Sequence, residues 1–128
     1  MTLIPKVVKK RKKASVTKEL DTLFSLVVRS VGKCEADDGR PCNGPLQCAH
    51  GFTRSYRATR WDRRNAFCLC AGHHMFYTHR PLEWDEVLYS RWGTVEYLRL
   101  RMLATSGAKP DTAVLLEQLR AEVKRIAA

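Results

Sequence analysis

Apolar positions between Thr17 and Val31 recur at steps of three and four: Leu20, Leu23, Phe24, Val27 and Val31. That period predicts a helix with one buried face. Ser15 or Thr17 can cap its start, and Gly32 is a natural stop. The pattern then breaks. Residues 33–65 hold Gly39, Pro41, Gly44, Pro45 and Gly51 with little periodicity, so something other than apolar packing must hold them. Short strands are expected to flank the irregular stretch, over Leu46 to His50 and over Ala66 to Leu69. After Cys70 the chain reads as helix again, with Pro81 suited to a first turn and Leu82, Val87 and Leu88 behind it. Gly93 interrupts, and Val95, Leu98, Met102 and Leu103 then continue a helical face. Gly107 and Pro110 break the chain. Asp111 can cap a last helix carrying Val114, Leu115, Leu119, Val123 and Ile126.

A chain of 128 residues with 45% apolar content builds one small domain with a modest core. Five cysteines and four histidines in that length point to metal. The basic N-terminal residues are followed by no apolar segment of signal-peptide length, and the longest apolar stretch, near Leu26 to Val28, is far too short to span a bilayer. The expectation is a soluble, cytoplasmic protein, in the host cytoplasm if phage-encoded. Thiols stay reduced there, so zinc is favoured over disulfides, which an odd cysteine count also fits poorly. The net charge of +10 favours a polyanionic partner through phosphate contacts and counterion release. Lys6, Lys9, Lys10, Arg11, Lys12 and Lys13 form a basic run without an apolar face, read as a flexible phosphate-binding arm.

The cysteines carry the first chemistry. Cys70-Ala-Gly-His73 has the two-residue spacer that lets both side chains face one ion. Cys34 and Cys42 bracket a turn with seven residues between them, so Cys34, Cys42, Cys70 and His73 would make a closed Cys₃His site of the structural kind. Cys48 and Cys68 are rival ligands, or small buried apolar residues, and His74 is an alternative to His73. Such a zinc would tie the irregular half of the chain to the helical half.

His50 ends the first expected strand, Asn65 follows fifteen residues later before the second, and His74 opens the helix after the knuckle. That order and spacing, on Ala49-His50, Arg64-Asn65 and Cys70-Ala-Gly-His73-His74, resembles the HNH nucleases, over roughly Cys34 to Glu83. Residues 57–65, from Arg57 to Asn65, are also similar to phage recombination proteins of the NinG type. The resemblance implies an α+β fold: a small ββα-metal core with a structural zinc knuckle, flanked by an N-terminal helix and C-terminal helices. It divides the chain into an arm over 1–14, a nuclease-like unit over 15–92 and a helical extension over 93–128. It also implies an endonuclease in which His50 is the general base, Asn65 orients it, and His74 binds a catalytic Mg²⁺ or Mn²⁺. The DNA products would carry 5′ phosphates and 3′ hydroxyls. Two positions depart from the family. Ala49 stands where Asp or His would bind the catalytic metal, and Thr78 stands where a second helical His is often found. His79 and Glu83 are the further candidate suppliers of a ligand.

Between His50 and Asn65 lie Arg54, Arg57, Arg60, Arg63 and Arg64, with Tyr56 and Trp61 interleaved. Arginine forks match phosphate oxygens, so these residues, with Lys10, Arg11 and Lys12 of the arm, are the expected DNA contacts. Trp61 is expected to pack inward. Two further readings stay open: a zinc-dependent DNA- or junction-binding module without catalysis, which Ala49 favours, and a zinc protein whose C-terminal helices bind a phage packaging or recombination partner.

Overall fold

The computed structural model describes residues 11–128. Helix α1, Lys13–Arg29, is followed by a long irregular segment, strand β1 (Leu46–His50) and a one-turn helix α2 (Arg57–Arg60). A 3₁₀ turn at Arg63–Asn65 leads into strand β2 (Ala66–Cys70), helix α3 (Ala71–Thr78), helix α4 (Pro81–Thr105) and helix α5 (Thr112–Ala127). The protein is thus a small α+β molecule in which an antiparallel hairpin is followed by a helix and flanked by others. In the hairpin Leu46 pairs with Cys70, Cys48 with Cys68 and His50 with Ala66. Glu35 closes the free edge of β2: its N–H donates to the Cys68 carbonyl at 2.7 Å, and its carboxylate accepts from the Cys68 N–H at 2.7 Å.

The hairpin is a wall between two cores. Strand side chains alternate faces, so Leu46 and Cys48 join Leu20, Phe24, Val28, Trp61, Cys68, Leu116 and Leu119 on one side. Ala49, Phe67, Leu69, Tyr77, Leu88 and Tyr97 form the other. Because both faces are covered, all five residues of β2 are buried. The first core is α1 and α5 laid on the hairpin, joined at their edge by Glu19, which pairs with Arg120 at 2.6 Å and Arg11 at 2.7 Å. The second is aromatic, with the Phe67 and Trp92 rings stacked 5.8 Å apart.

Several sequence expectations need correcting. Helix α1 starts at Lys13, without a side-chain cap, because Lys12 takes the cap position and the Ser15 hydroxyl accepts from Arg11 instead. It ends at Arg29, so Val31 lies beyond it and is exposed. Strand β2 runs one residue further than expected, to Cys70. Gly93 interrupts α4 as expected, at φ 75°, but the turn resets the helical phase. Past it, Tyr97, Leu100 and Ala104 are buried, whereas Val95, Leu98 and Met102 face solvent. Leu82 is exposed too, and on α5 Leu116 is buried where Val114 and Ile126 are not. Asp111 does cap α5, accepting from the Val114 N–H at 3.2 Å. Residues from the 93–128 stretch enter both cores. Among the described residues no helix is long and apolar enough to cross a membrane.

Candidate metal centre and catalytic cleft

Cys70 is both the end of β2 and the cap of α3, accepting from the His73 N–H at 3.4 Å. That turn places Cys70 and His73 on one side of the helix start. The Cys42 loop is laid against it by two backbone bonds of 2.8 Å each, from Gly72 to Asn43 and from Ala71 to Pro45. Gly44, at φ +83°, permits the approach: a Cβ there would stand 2.8 Å from that of Ala71. Ligand atoms of Cys34, Cys42, Cys70 and His73 all lie within 4.8 Å of one another. This Cys₃His cluster could hold a zinc, and its donors fit one. The thiols collect N–H donors, at 3.2 Å from Cys70 to Cys34 and 3.4 Å from Asn43 to Cys70. Burial pushes the Cys70 thiol up, but the His73 and Asn43 N–H groups and the His73 ring outweigh it and bring it down to about 6.

Sequence reasoning missed what surrounds the cluster. His73 turns Nδ1 to the thiols and donates from Nε2 to Asp38 at 2.9 Å, and Tyr77 donates to the other Asp38 oxygen at 2.8 Å. A carboxylate behind a histidine in this way fixes ring orientation and raises its basicity as a ligand. The rivals lie elsewhere. Cys48 and Cys68 face each other across the hairpin on the α1 side, where burial pushes the Cys48 thiol up to about 11. His74 hydrogen-bonds Gln47 and stays outside the cluster.

On the far side of α3 from the cluster, the end of β1 opens into two adjoining cavities of about 580 and 350 Å³. Both are lined by His50, Arg54 and His74. His50 Nε2 lies 2.9 Å from the Arg60 carbonyl. A carbonyl only accepts, so Nε2 carries the hydrogen and Nδ1 keeps its lone pair. Asn65, wholly buried, holds the loop that supplies this carbonyl. Its Oδ1 accepts from the Phe52 N–H at 2.7 Å, and its Nδ2 donates to the carbonyls of Phe52 and Thr59 at 3.0 and 3.1 Å. Gly51 makes room for that side chain, since a Cβ there would lie 2.8 Å from Asn65 Oδ1. His74 Nδ1 donates to Gln47 Oε1 at 2.8 Å, leaving Nε2 free. Burial, with the Arg54 charge beside it, holds both imidazoles below their ordinary value of 6.5, against the carbonyl bond at His50. Both are therefore neutral at pH 7.

Other expected residues are placed differently. His79 caps the end of α3, is exposed, and lines neither cavity with His74. Glu83 opens onto a separate acidic cavity with Glu35, Asp37 and Asp38. Ala49 is buried at the wall of the cleft and offers no ligand atom. Of the arginines, Arg54 is 63% exposed and sits at the cleft mouth, 4.0 Å from Asp21. Arg60 is only 17% exposed and forks onto Asp21 at 3.0 and 2.6 Å, so it is not available to phosphate. Arg57 stands over the buried Trp61 ring, Arg63 donates to the Ala66 carbonyl, and Arg64 pairs with Asp62 while remaining largely exposed. Arg11 bonds Glu19 and Ser15, Lys12 is exposed, and Lys10 lies outside the described residues. Arg29, at the end of α1, adds a cation to the cleft that the loop-centred reading did not anticipate. No protein-family model, curated protein or solved structure was found to match this chain.

Proposed function

We propose that the protein is a metal-dependent endonuclease that hydrolyses phosphodiester bonds in DNA, with His50 as general base and a structural zinc on Cys34, Cys42, Cys70 and His73. The observation that carries this reading is the convergence of two neutral imidazoles, His50 and His74, with Arg54 on one open cleft, with His50 aimed by a carbonyl whose loop Asn65 ties down. The bare Nδ1 of His50 accepts a proton from water as the oxygen attacks phosphorus, and the bond to the 3′ oxygen breaks, leaving a 5′ phosphate. Arg54 and Arg29 hold the flanking phosphates. Among the described residues His74 Nε2 would be the protein donor to a cleft metal, a thin set for Mg²⁺ that would suit a softer ion such as Mn²⁺ better. When bound, that ion would supply charge stabilisation at the phosphate and the leaving oxygen.

Plasmid nicking in Mg²⁺ and in Mn²⁺ is the test. Cleavage by the wild type is expected, and His50→Ala should lower it on the order of 100- to 10,000-fold while folding and DNA affinity hold. Undiminished cleavage by His50→Ala would refute the mechanism. Ala49, which places no ligand beside His50, favours a second reading, a zinc-stabilised DNA-binding module without catalysis. A wild type that binds DNA but is inert in every divalent metal would establish that one.

A further inference from the structure

The carbonyl that aims His50 belongs to the peptide joining Arg60 to Trp61, and one carboxylate on α1 holds the side chains of both residues. Asp21 Oδ1 accepts from Arg60 Nε at 3.0 Å and from the Trp61 indole N–H at 2.9 Å, and Oδ2 accepts from Arg60 Nη2 at 2.6 Å. Arg60 in turn donates from Nη1 to the Arg54 carbonyl at 3.3 Å. One turn along α1, the Phe24 ring lies against that of His50, with centroids 5.8 Å apart. A helix outside the hairpin and α3 thus grips both sides of the orienting peptide and touches the imidazole it orients.

We propose that Asp21 is a positioning residue for His50, holding the Arg60–Trp61 peptide so that its carbonyl accepts from His50 Nε2 and turns Nδ1 into the cleft. This rests on the reading of His50 as the base. Asp21 lines the same cleft as His74, but both its oxygens are engaged by Arg60 and Trp61, so it does not stand in for the ligand missing at Ala49. Trp61 is 5% exposed and Arg60 is a bidentate partner, so the grip is a rigid one of short bonds between groups already ordered by packing. Asn65 holds the same loop from its other side, at Phe52 and Thr59. The Asp62 N–H closes the turn on the Thr59 carbonyl at 3.2 Å, and Asp21 adds the side-chain grip on the two residues between them.

The experiment pairs cleavage kinetics with nitrogen NMR of the His50 ring. Asp21→Asn keeps the size and one acceptor for Trp61 but loses the charged fork on Arg60. It should lower kcat on the order of tenfold to a hundredfold, the cost of a misplaced reacting group, with KM for DNA unchanged. In a His50→Ala background it should produce no further loss. In the ring spectrum, the wild type should show one tautomer with hydrogen on Nε2, and Asp21→Asn a mixture of two. Trp61→Phe, which removes one of the grips and keeps the aromatic core, should give an intermediate mixture. The ring spectrum decides about Asp21 whether or not the protein cuts DNA: an inert wild type overturns the nuclease reading, while an unshifted tautomer in Asp21→Asn overturns this one. Equal kcat losses from Asp21→Asn with and without His50 would overturn it as well, by showing that Asp21 acts through some other group.

Discussion

If His50 is the base, as proposed, burial is what suits it to that role. Desolvation holds the ring below its ordinary 6.5, which favours the neutral form with its free lone pair. The acid limb of kcat/KM should therefore have its midpoint below 6.5, and a midpoint at or above that value would mean the base is some other group. The same shift acts on folding. Between 6.5 and the lower folded value the unfolded chain binds the proton more readily, so this group's contribution makes stability fall as pH drops through that window. Ala49 offers a second test at the scale of one side chain. Ala49→Asp puts a carboxylate at the wall of the cleft, beside His50 and buried against Leu69 and Phe67. A buried, unpaired carboxylate is costly, whereas one bound to a cation is not. The variant should melt below the wild type in metal-free buffer and regain the difference as Mn²⁺ is added, with activity appearing at lower Mn²⁺ than in the wild type. Melting that ignores Mn²⁺ would place the new carboxylate out of reach of the ion.

Among the elements, α3 carries the most. Its first turn holds Cys70 and His73 for the zinc cluster, and the next residue, His74, faces the cleft. Metal analysis should find tightly bound zinc in the purified protein, and Cys70→Ser should cost folding outright, since the loop from Cys34 to Pro45 has few apolar contacts of its own. Zinc-free protein that folds with all thiols titratable would sink that expectation. These features were legible because they are local: a two-residue spacer, a histidine at a strand end, an asparagine before the next strand. The hairpin was legible for the same reason. The buried face of α4 past Gly93 was not, because Val95, Leu98 and Met102 repeat at helical spacing as well as Tyr97, Leu100 and Ala104 do, and only packing decides between the two faces. Asp21 was invisible because it is one polar residue on the flank of an amphipathic helix, given meaning only by a loop 39 residues away. Gln47 and Asp38 were hidden likewise, each defined by a histidine on α3. Arg60 misled because a basic residue among arginines gives no sign of an internal partner.

For the whole molecule the dominant quantity is charge. The net charge is +10, with the cleft arginines and the basic N-terminal run among its cations, so DNA affinity should fall steeply and linearly in log–log form as salt rises, with little preference for sequence. Removing residues 1–13 should flatten that line, and an unchanged slope would show that the run does not touch phosphate. Glu35, Asp37, Asp38 and Glu83 gather in a cavity of their own, whereas Asp21, in the wall of the His50 cleft, is paired with Arg60 and Arg54. Arg29 and Arg54 line the His50 cleft, and if DNA is the partner, as proposed, they would favour its approach there.

The adjacency of His73 and His74 has a consequence in time. If both sites are filled as proposed, a chelator meets two ions on consecutive residues that leave at very different speeds. The ion on His74 sits in an open cleft with one protein donor and exchanges freely. The ion on His73 would be held by three cysteines as well, with Asp38 behind the ring. Brief chelation would silence the cleft and be undone by Mn²⁺ alone, whereas prolonged chelation would strip the second ion and dismantle the helix start that presents His74. With both ions bound as proposed, the order of loss would be built into one dipeptide: the cleft ion would come and go without disturbing its mount, but losing the mount would take the cleft site with it.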